Sequence, residues 1–198
     1  MKTSLNLKFK GERDYLQGPD ILNETMLWLE QNHVPQKISK IDFSFHRMAR
    51  NGLALHVEKK DSLGEPVAEC SYLSGTEARH VYLYESGNPI TERYPYDESL
   101  ICKDFNINVA EKSGSLKTDL PFTDIEIWVS LTKALHQKTL PEIKGKWLFV
   151  RGRFPFYERS SRGTEKHLHI AANFQNRLTR TVLTSNADFS GEIFFSTI

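Results

Sequence analysis

The stretch YLQGPDILNETMLWLEQN (Tyr15–Asn32) decides how the chain is organised. Ile21, Leu22, Thr25, Trp28 and Leu29 recur at the spacing of one face of a 3.6-residue helix. The stretch therefore predicts an amphipathic helix, with Asp20 as a favoured N-cap residue. Glu24 is the one acid on this helix close to its start and among its apolar residues. It reads either as a catalytic acid or as a solvated residue of the first turns, where negative charge suits the helix dipole.

Alternating apolar residues on either side of this helix predict strands. Leu5, Leu7 and Phe9 alternate before it; after it, Ile41, Phe43 and Phe45 do the same. Asn51-Gly52 marks a turn into a strand with Leu53, Leu55 and Val57. PVAECSYLS (66–74) and ARHVYLYES (78–86) read as two more strands, and Gly87, Pro89 and Pro95 punctuate a linker.

Beyond the linker the order repeats. KDFNINVAE (103–111) reads as a strand and TDIEIWVSLTKALHQ (123–137) as a helix; four further strand patterns end at Ile198. Leu5, Leu7 and Phe9 precede Phe105, Ile107 and Val109 by a constant interval; Asp20-Ile21 and Asp124-Ile125 match again a few residues further on. Leu55-His56-Val57 pairs with Leu168-His169-Ile170, and Val81 and Leu83 pair with Ile193 and Phe195. Such a drift predicts two copies of one unit, residues 1–95 and 96–198, with loop insertions. The order strand, helix, four strands gives an α+β fold. In each half the helix is the one cover available for the sheet's apolar face, so each antiparallel sheet is expected to wrap around a central helix. Two units joined edge to edge would form one compact domain and protect their inner edges.

This arrangement resembles the hot-dog fold, and the tandem form resembles a double hot-dog. The resemblance covers nearly the whole chain and rests on element order. It implies a protein that binds or processes acyl thioesters, with coenzyme A or phosphopantetheine present as part of the substrate and no separate cofactor. The partner would be acyl-CoA or an acyl carrier protein. Helix N–H groups beginning near Gly18 would polarise the thioester carbonyl, and a narrow apolar tunnel would end near Tyr15–Glu24. GPDILNETMLW (Gly18–Trp28) is similar to the Pro-Gly and helix-carboxylate pattern of the family's dehydratases, with the pair reversed and Glu24 in the acid's place. Those dehydratases also use a histidine before the helix as base. Residues 10–19 contain none, nor does the segment between Lys103 and Thr123. The family's thioesterases use an acid near this loop as nucleophile or as base for water. Asp14, beside Arg13, is the candidate there, and Arg13 would pair with it or with a phosphate. In the second half Thr123 and Glu126 form a capping box, which accounts for both without chemistry.

Composition bounds these readings. Hydrophobic residues make up 39% and charged residues 26% of the 198, as in ordinary soluble proteins. Cys70 and Cys102 form neither a disulfide framework nor a zinc pattern. His167-x-His169 would share a strand face but lacks a third ligand at a convincing spacing, so no metal site is expected. His56 and His169 lie opposite the apolar rows and read as solvent-exposed. No secretory h-region and no membrane-spanning run is visible, which predicts a cytoplasmic protein without membrane contact.

The charge is uneven: residues 1–99 carry 12 basic against 15 acidic residues, and residues 100–198 carry 14 against 10. RGRFPFYERSSRGTEK (Arg151–Lys166) mixes Arg151, Arg153, Arg159 and Arg162 with Phe154, Phe156 and Tyr157. Arg151 and Arg153 are candidates for contact with the phosphates of coenzyme A. The alternative reading is a non-catalytic binding or assembly module using this surface for an acidic protein, a nucleotide or a nucleic acid, although nucleic acid is the less favoured partner. The same residues also read as a strand pair with a solvated hairpin. The sequence leaves a homodimer open.

Overall fold

The computed structural model describes residues 2–32, 37–185 and 189–198. The chain divides into two compact units, Met1–Tyr96 and Asp97–Ile198. Most of each is antiparallel sheet, with few helices. Among the described residues, no helix is long and apolar enough to cross a membrane.

The first unit contains β1 (Lys2–Ser4), β2 (Phe9–Lys10), α1 (Gly18–Asn32), β3 (Ile38–Phe45), β4 (Asn51–His56), β5 (Ala68–Ser74), β6 (Glu77–Pro89) and β7 (Arg93–Tyr94). α1 buries all five residues of the apolar stripe, together with Pro19 and Met26. Asp20 lies inside this helix rather than before it, because the N–H groups of Asp20 and Ile21 already close on the carbonyl of Gln17. The sheet runs β1-β4-β6-β5-β3, antiparallel throughout. Gly75, at φ +63°, turns β5 into β6 in two residues, the geometry of a II′ hairpin with glycine first.

Three local expectations change. The first strand splits: Lys2–Ser4 pairs with β4, and Phe9–Lys10 pairs in parallel with β7. Asn51-Gly52 is the start of β4 and not a turn, with the Gly52 carbonyl accepting from Ser86 Oγ at 3.0 Å. Gly87 and Pro89 belong to the end of β6.

The second unit contains α2 (Ser99–Cys102), β8 (Asn106–Asn108), β9 (Ser113–Leu116), α3 (Asp124–Thr139), β10 (Trp147–Phe156), β11 (Lys166–Phe174), β12 (Leu178–Ser185) and β13 (Phe189–Thr197). α3 opens on the expected capping box: Thr123 accepts from the Glu126 N–H, and the Glu126 carboxylate accepts from the Thr123 N–H. Ile125, Trp128 and Leu135 are buried, whereas Val129 is half-exposed. The sheet runs β10-β13-β12-β11-β9-β8, again antiparallel.

Element order is therefore shared, but strand order is not. In the first unit β4 lies beside β6; in the second β11 lies beside β12. The connections explain the difference. β11 and β12 are joined by Gln175, Asn176 and Arg177; the first two are left-handed (φ 52° and 58°), and the Arg177 N–H donates to the Phe174 carbonyl. Two left-handed residues make a I′ turn, which forces adjacent strands. Residues 57–67 between β4 and β5 impose no such constraint.

His56 corrects a further expectation. Leu53, Ala54, Leu55 and His56 are all buried, so β4 is covered on both faces and the alternation of its sequence loses its meaning. The ring packs edge-on to Tyr84, and burial, with Lys2 and Lys60 nearby, pushes its pKa down.

Candidate functional site

In the first unit the predicted site residues spread around the start of α1. Gly18 is its first residue and Tyr15 is buried just ahead of it. Asp14 faces Arg50 at 3.6 Å with three-quarters of its side chain exposed (76%). An ion pair that open contributes little. The Arg13 guanidinium lies over the Tyr96 ring at 5.7 Å. Glu24 is half-buried, one turn after Asp20.

The tighter cluster here is one that spacing does not reveal. Lys10 is almost wholly buried, and its Nζ lies 3.0 Å from Asp20 Oδ1. Tyr94 donates its hydroxyl to the other carboxylate oxygen at 2.8 Å, and the Tyr96 ring lies 4.1 Å from the ammonium. Lysine, carboxylate and two aromatics satisfy one another, as burial of a charge demands.

The second unit holds a comparable cluster with a cavity beside it. Asp124 is the first residue of α3, so it stands at the positive end of the helix dipole. Its Oδ2 accepts from the N–H of Ser161 at 3.0 Å and from the Ser161 hydroxyl. Lys166 Nζ lies 3.2 Å from Oδ1 and donates to Ser161 Oγ at 3.0 Å. Thr164 and Ser185 extend the chain of hydroxyls. The loop that brings Ser161 over the helix is fixed from both sides. The Asp124 N–H donates to the Arg159 carbonyl at 2.9 Å, and the Gly163 N–H donates to Asp119 at 2.8 Å.

Beside this cluster lies a cavity of about 130 Å³ lined by Asp124, Trp128, Phe156, Glu158, Ser161, Ser185 and Phe189. Trp128, Ser161 and Ser185 are buried, while Glu158 is exposed, so the cavity runs inward from the Glu158 side. A carboxylate and hydroxyls face aromatic rings across it. Four of its seven lining residues are polar and three aromatic, so it offers a carboxylate and hydroxyls beside apolar rings in a small space. Sequence reasoning assigned Asp124 no role and counted Lys166 as part of a basic surface. The constellation joins residues 37 positions apart (Asp124 and Ser161), and its only sequence signal is an aspartate directly after a capping threonine.

The basic stretch is engaged in part, and Arg159 and Arg162 are exposed. Arg153 pairs with Glu192 at 3.6 Å and stacks on Phe194 at 5.5 Å, and Arg180 shares the same glutamate. Arg151 sits opposite Phe194 in the β10–β13 ladder. His167 and His169 are exposed, and among the described residues no group of three or more His, Cys, Asp or Glu side chains is arranged to hold a metal.

No family profile matches the chain, and neither does any curated protein sequence. Solved structures do. The dehydratase domain of PpsC from Mycobacterium tuberculosis, in complex with C12:1-CoA, superposes with a TM-score of 0.59 at 11% identity, over 100% of this chain and 92% of that one. A tesB protein of Mycobacterium avium subs paratuberculosis gives 0.54 at 10% identity, over 97% and 91%. A pyran synthase domain from module nine of the sorangicin pathway gives 0.52 at 11%, over 99% and 92%. Thioesterases and dehydratase domains of this kind are hot-dog proteins, and the likeness gives this chain a hot-dog-type fold.

Proposed function

We propose that the protein binds and processes an acyl thioester of coenzyme A or of an acyl carrier protein, each unit being a hot-dog-like repeat with its sheet around its helix. The carrying observation is a buried carboxylate, Asp124, at the first turn of α3 beside a cavity partly lined by aromatic rings. The ligand class comes from the neighbours in fold, one of which holds an acyl-CoA.

Hydrolysis fits the residues better than dehydration, because neither pre-helix segment contains the histidine that dehydration requires. The acyl carbonyl would lie near the α3 N-terminus, where the helix dipole favours charge developing on oxygen. Asp124 takes a proton from water as the water oxygen bonds to the carbonyl carbon. The C–S bond then breaks, and the proton passes to the departing thiolate. Lys166 balances the carboxylate's charge, and Ser161 fixes its orientation. Asp14 and Glu24 are the competing carboxylates, on the first unit.

The test is turnover of an acyl-CoA panel by the wild type and by Asp124→Asn, Glu24→Gln and Asp14→Asn. Loss of a hundredfold or so in Asp124→Asn alone is expected. Full activity in that variant moves the chemistry to the first unit, and a wild type inert to every thioester and binding none overturns the reading.

A further inference from the structure

We infer that Asp124 reaches the attacking water through a chain of three hydroxyls, Ser161, Thr164 and Ser185, and that the water's proton enters this chain at Ser185. This rests on the thioester-hydrolysis reading of the same site.

The carboxylate itself has no oxygen to offer water. Its Oδ1 is buried from solvent, with the Lys166 ammonium 3.2 Å away. Its Oδ2 already accepts from the Ser161 N–H and from the Ser161 hydroxyl. Ser161 is no better placed, although it lines the cavity. A hydroxyl has one proton to give and two lone pairs to fill. The Ser161 proton goes to Asp124, and its lone pairs accept from Lys166 Nζ at 3.0 Å and from the Thr164 hydroxyl at 3.1 Å. Lys166 does not line the cavity, so it has no water there to draw on.

Thr164 leads onward. It accepts from the Ser185 hydroxyl at 3.0 Å. Ser185 lines the cavity, and among the described residues nothing donates to its hydroxyl, so its lone pairs are open to a water there. Every donor thus points one way, from Ser185 to the carboxylate, and hydrogen bonds in such a chain polarise one another. The backbone holds the chain in place. Ser185 faces Lys166 across the β11–β12 ladder, and the loop before Thr164 is pinned by Asp119 and by the Asp124 N–H.

The step runs as a relay. As the water oxygen bonds to the carbonyl carbon, the water gives a proton to Ser185 Oγ. Ser185 passes its own proton to Thr164, Thr164 passes one to Ser161, and Ser161 passes one to Asp124 Oδ2. When the C–S bond breaks the transfers reverse, and Ser185 protonates the departing sulfur. Water and thioester become acid and thiol, and each side chain regains its starting proton.

The experiment measures binding and single-turnover hydrolysis of acetyl-, butyryl-, octanoyl- and lauroyl-CoA in mixtures of light and heavy water, for the wild type, Thr164→Val, Thr164→Ser and Ser185→Ala. Valine keeps the shape of threonine and removes the hydroxyl. Thr164 lies outside the cavity lining, so Thr164→Val should bind as the wild type does and turn over about tenfold more slowly or worse. Thr164→Ser should recover most of that rate, and Ser185→Ala should lose as much as Thr164→Val. The wild-type rate should curve against the deuterium fraction, because several protons move together, and the curvature should vanish in Thr164→Val. Circular dichroism checks that the variants are folded. A wild-type rate linear in the deuterium fraction overturns the relay even if no variant folds. Full activity in a folded Thr164→Val also overturns it, and an inactive Asp124→Asn then leaves thioester hydrolysis standing. No binding or turnover of any of the four by the wild type overturns both.

Discussion

Acidification should weaken the second unit through one side chain, His136. The ring is fully buried in α3, stacks on Trp147 at 4.3 Å and meets Phe195 at 5.3 Å. Its Nε2 is 2.7 Å from Thr179 Oγ1. Burial penalises the charged imidazolium and brings the pKa from 6.5 to about 4. The unfolded chain thus binds this proton more tightly than the folded one. Stability is complete above about pH 6.5 and is lost as pH falls toward 4, at about 1.4 kcal/mol per pH unit, or about 3 kcal/mol in all. Against a total of about 5–15 kcal/mol, that is a large fraction. Carboxylates add their own acid dependence, so the assay is a difference. Urea unfolding of the wild type and of His136→Gln is followed by tryptophan fluorescence from pH 4 to 8. Glutamine keeps a partner for Thr179 and cannot titrate in this range. The variant is expected to be less stable at pH 8 and to close the gap by about 3 kcal/mol at pH 4. Two stability curves that stay parallel across the range would refute the assignment.

Other perturbations follow from local geometry. Thr123→Ala removes the acceptor for the Glu126 N–H and should cost about 1 kcal/mol in urea unfolding, whereas Thr123→Ser should cost a fraction of that. Gly145→Ala should cost about 1–3 kcal/mol. Its φ is +119°, and the added Cβ would stand 2.6 Å from the Ile198 carbonyl oxygen, which the Lys146 N–H needs. Urea unfolding measures the loss, and an unchanged midpoint would refute the clash.

What the sequence made legible was what short-range periodicity controls. The stripe of α1 and the capping box of α3 depend on residues within eight positions, and both stand in the structure as read. Strand order depends on which connection is tight. The I′ turn at Gln175-Asn176 carries no glycine to announce itself, so the β11–β12 pairing that separates the two units' topologies had no signal. His56 failed for another reason. Alternation reports burial only where one face of a strand meets water, and β4 is covered on both. Asp124, Ser161 and Lys166 were invisible as a group because charge counting treats every lysine as solvated, whereas Lys166 is 4% exposed.

Lys10 and Lys166 make the last point testable, because each neutralises an aspartate in the first turn of a helix and yet the two pairs do different work. A buried ion pair contributes little net stability, since desolvation offsets most of the attraction, but removing one partner leaves the other charge unpaired at about 3–5 kcal/mol. Lys10→Met and Lys166→Met should each show a loss of that order. Adding Asp20→Asn to the first and Asp124→Asn to the second removes the stranded charge. The amide oxygen still accepts from Tyr94 in one case and from Ser161 in the other. Both double variants should return to within about 1 kcal/mol of the wild type in urea unfolding. Turnover separates them. The Asp20 carboxylate is enclosed by Lys10 and Tyr94, so its pair is structural and thioester hydrolysis should survive its replacement. The Asp124 carboxylate lines the cavity, so the second double variant should be folded and inactive. An active, stable Asp124→Asn/Lys166→Met protein would show that this carboxylate, like Asp20, serves only the structure around its lysine.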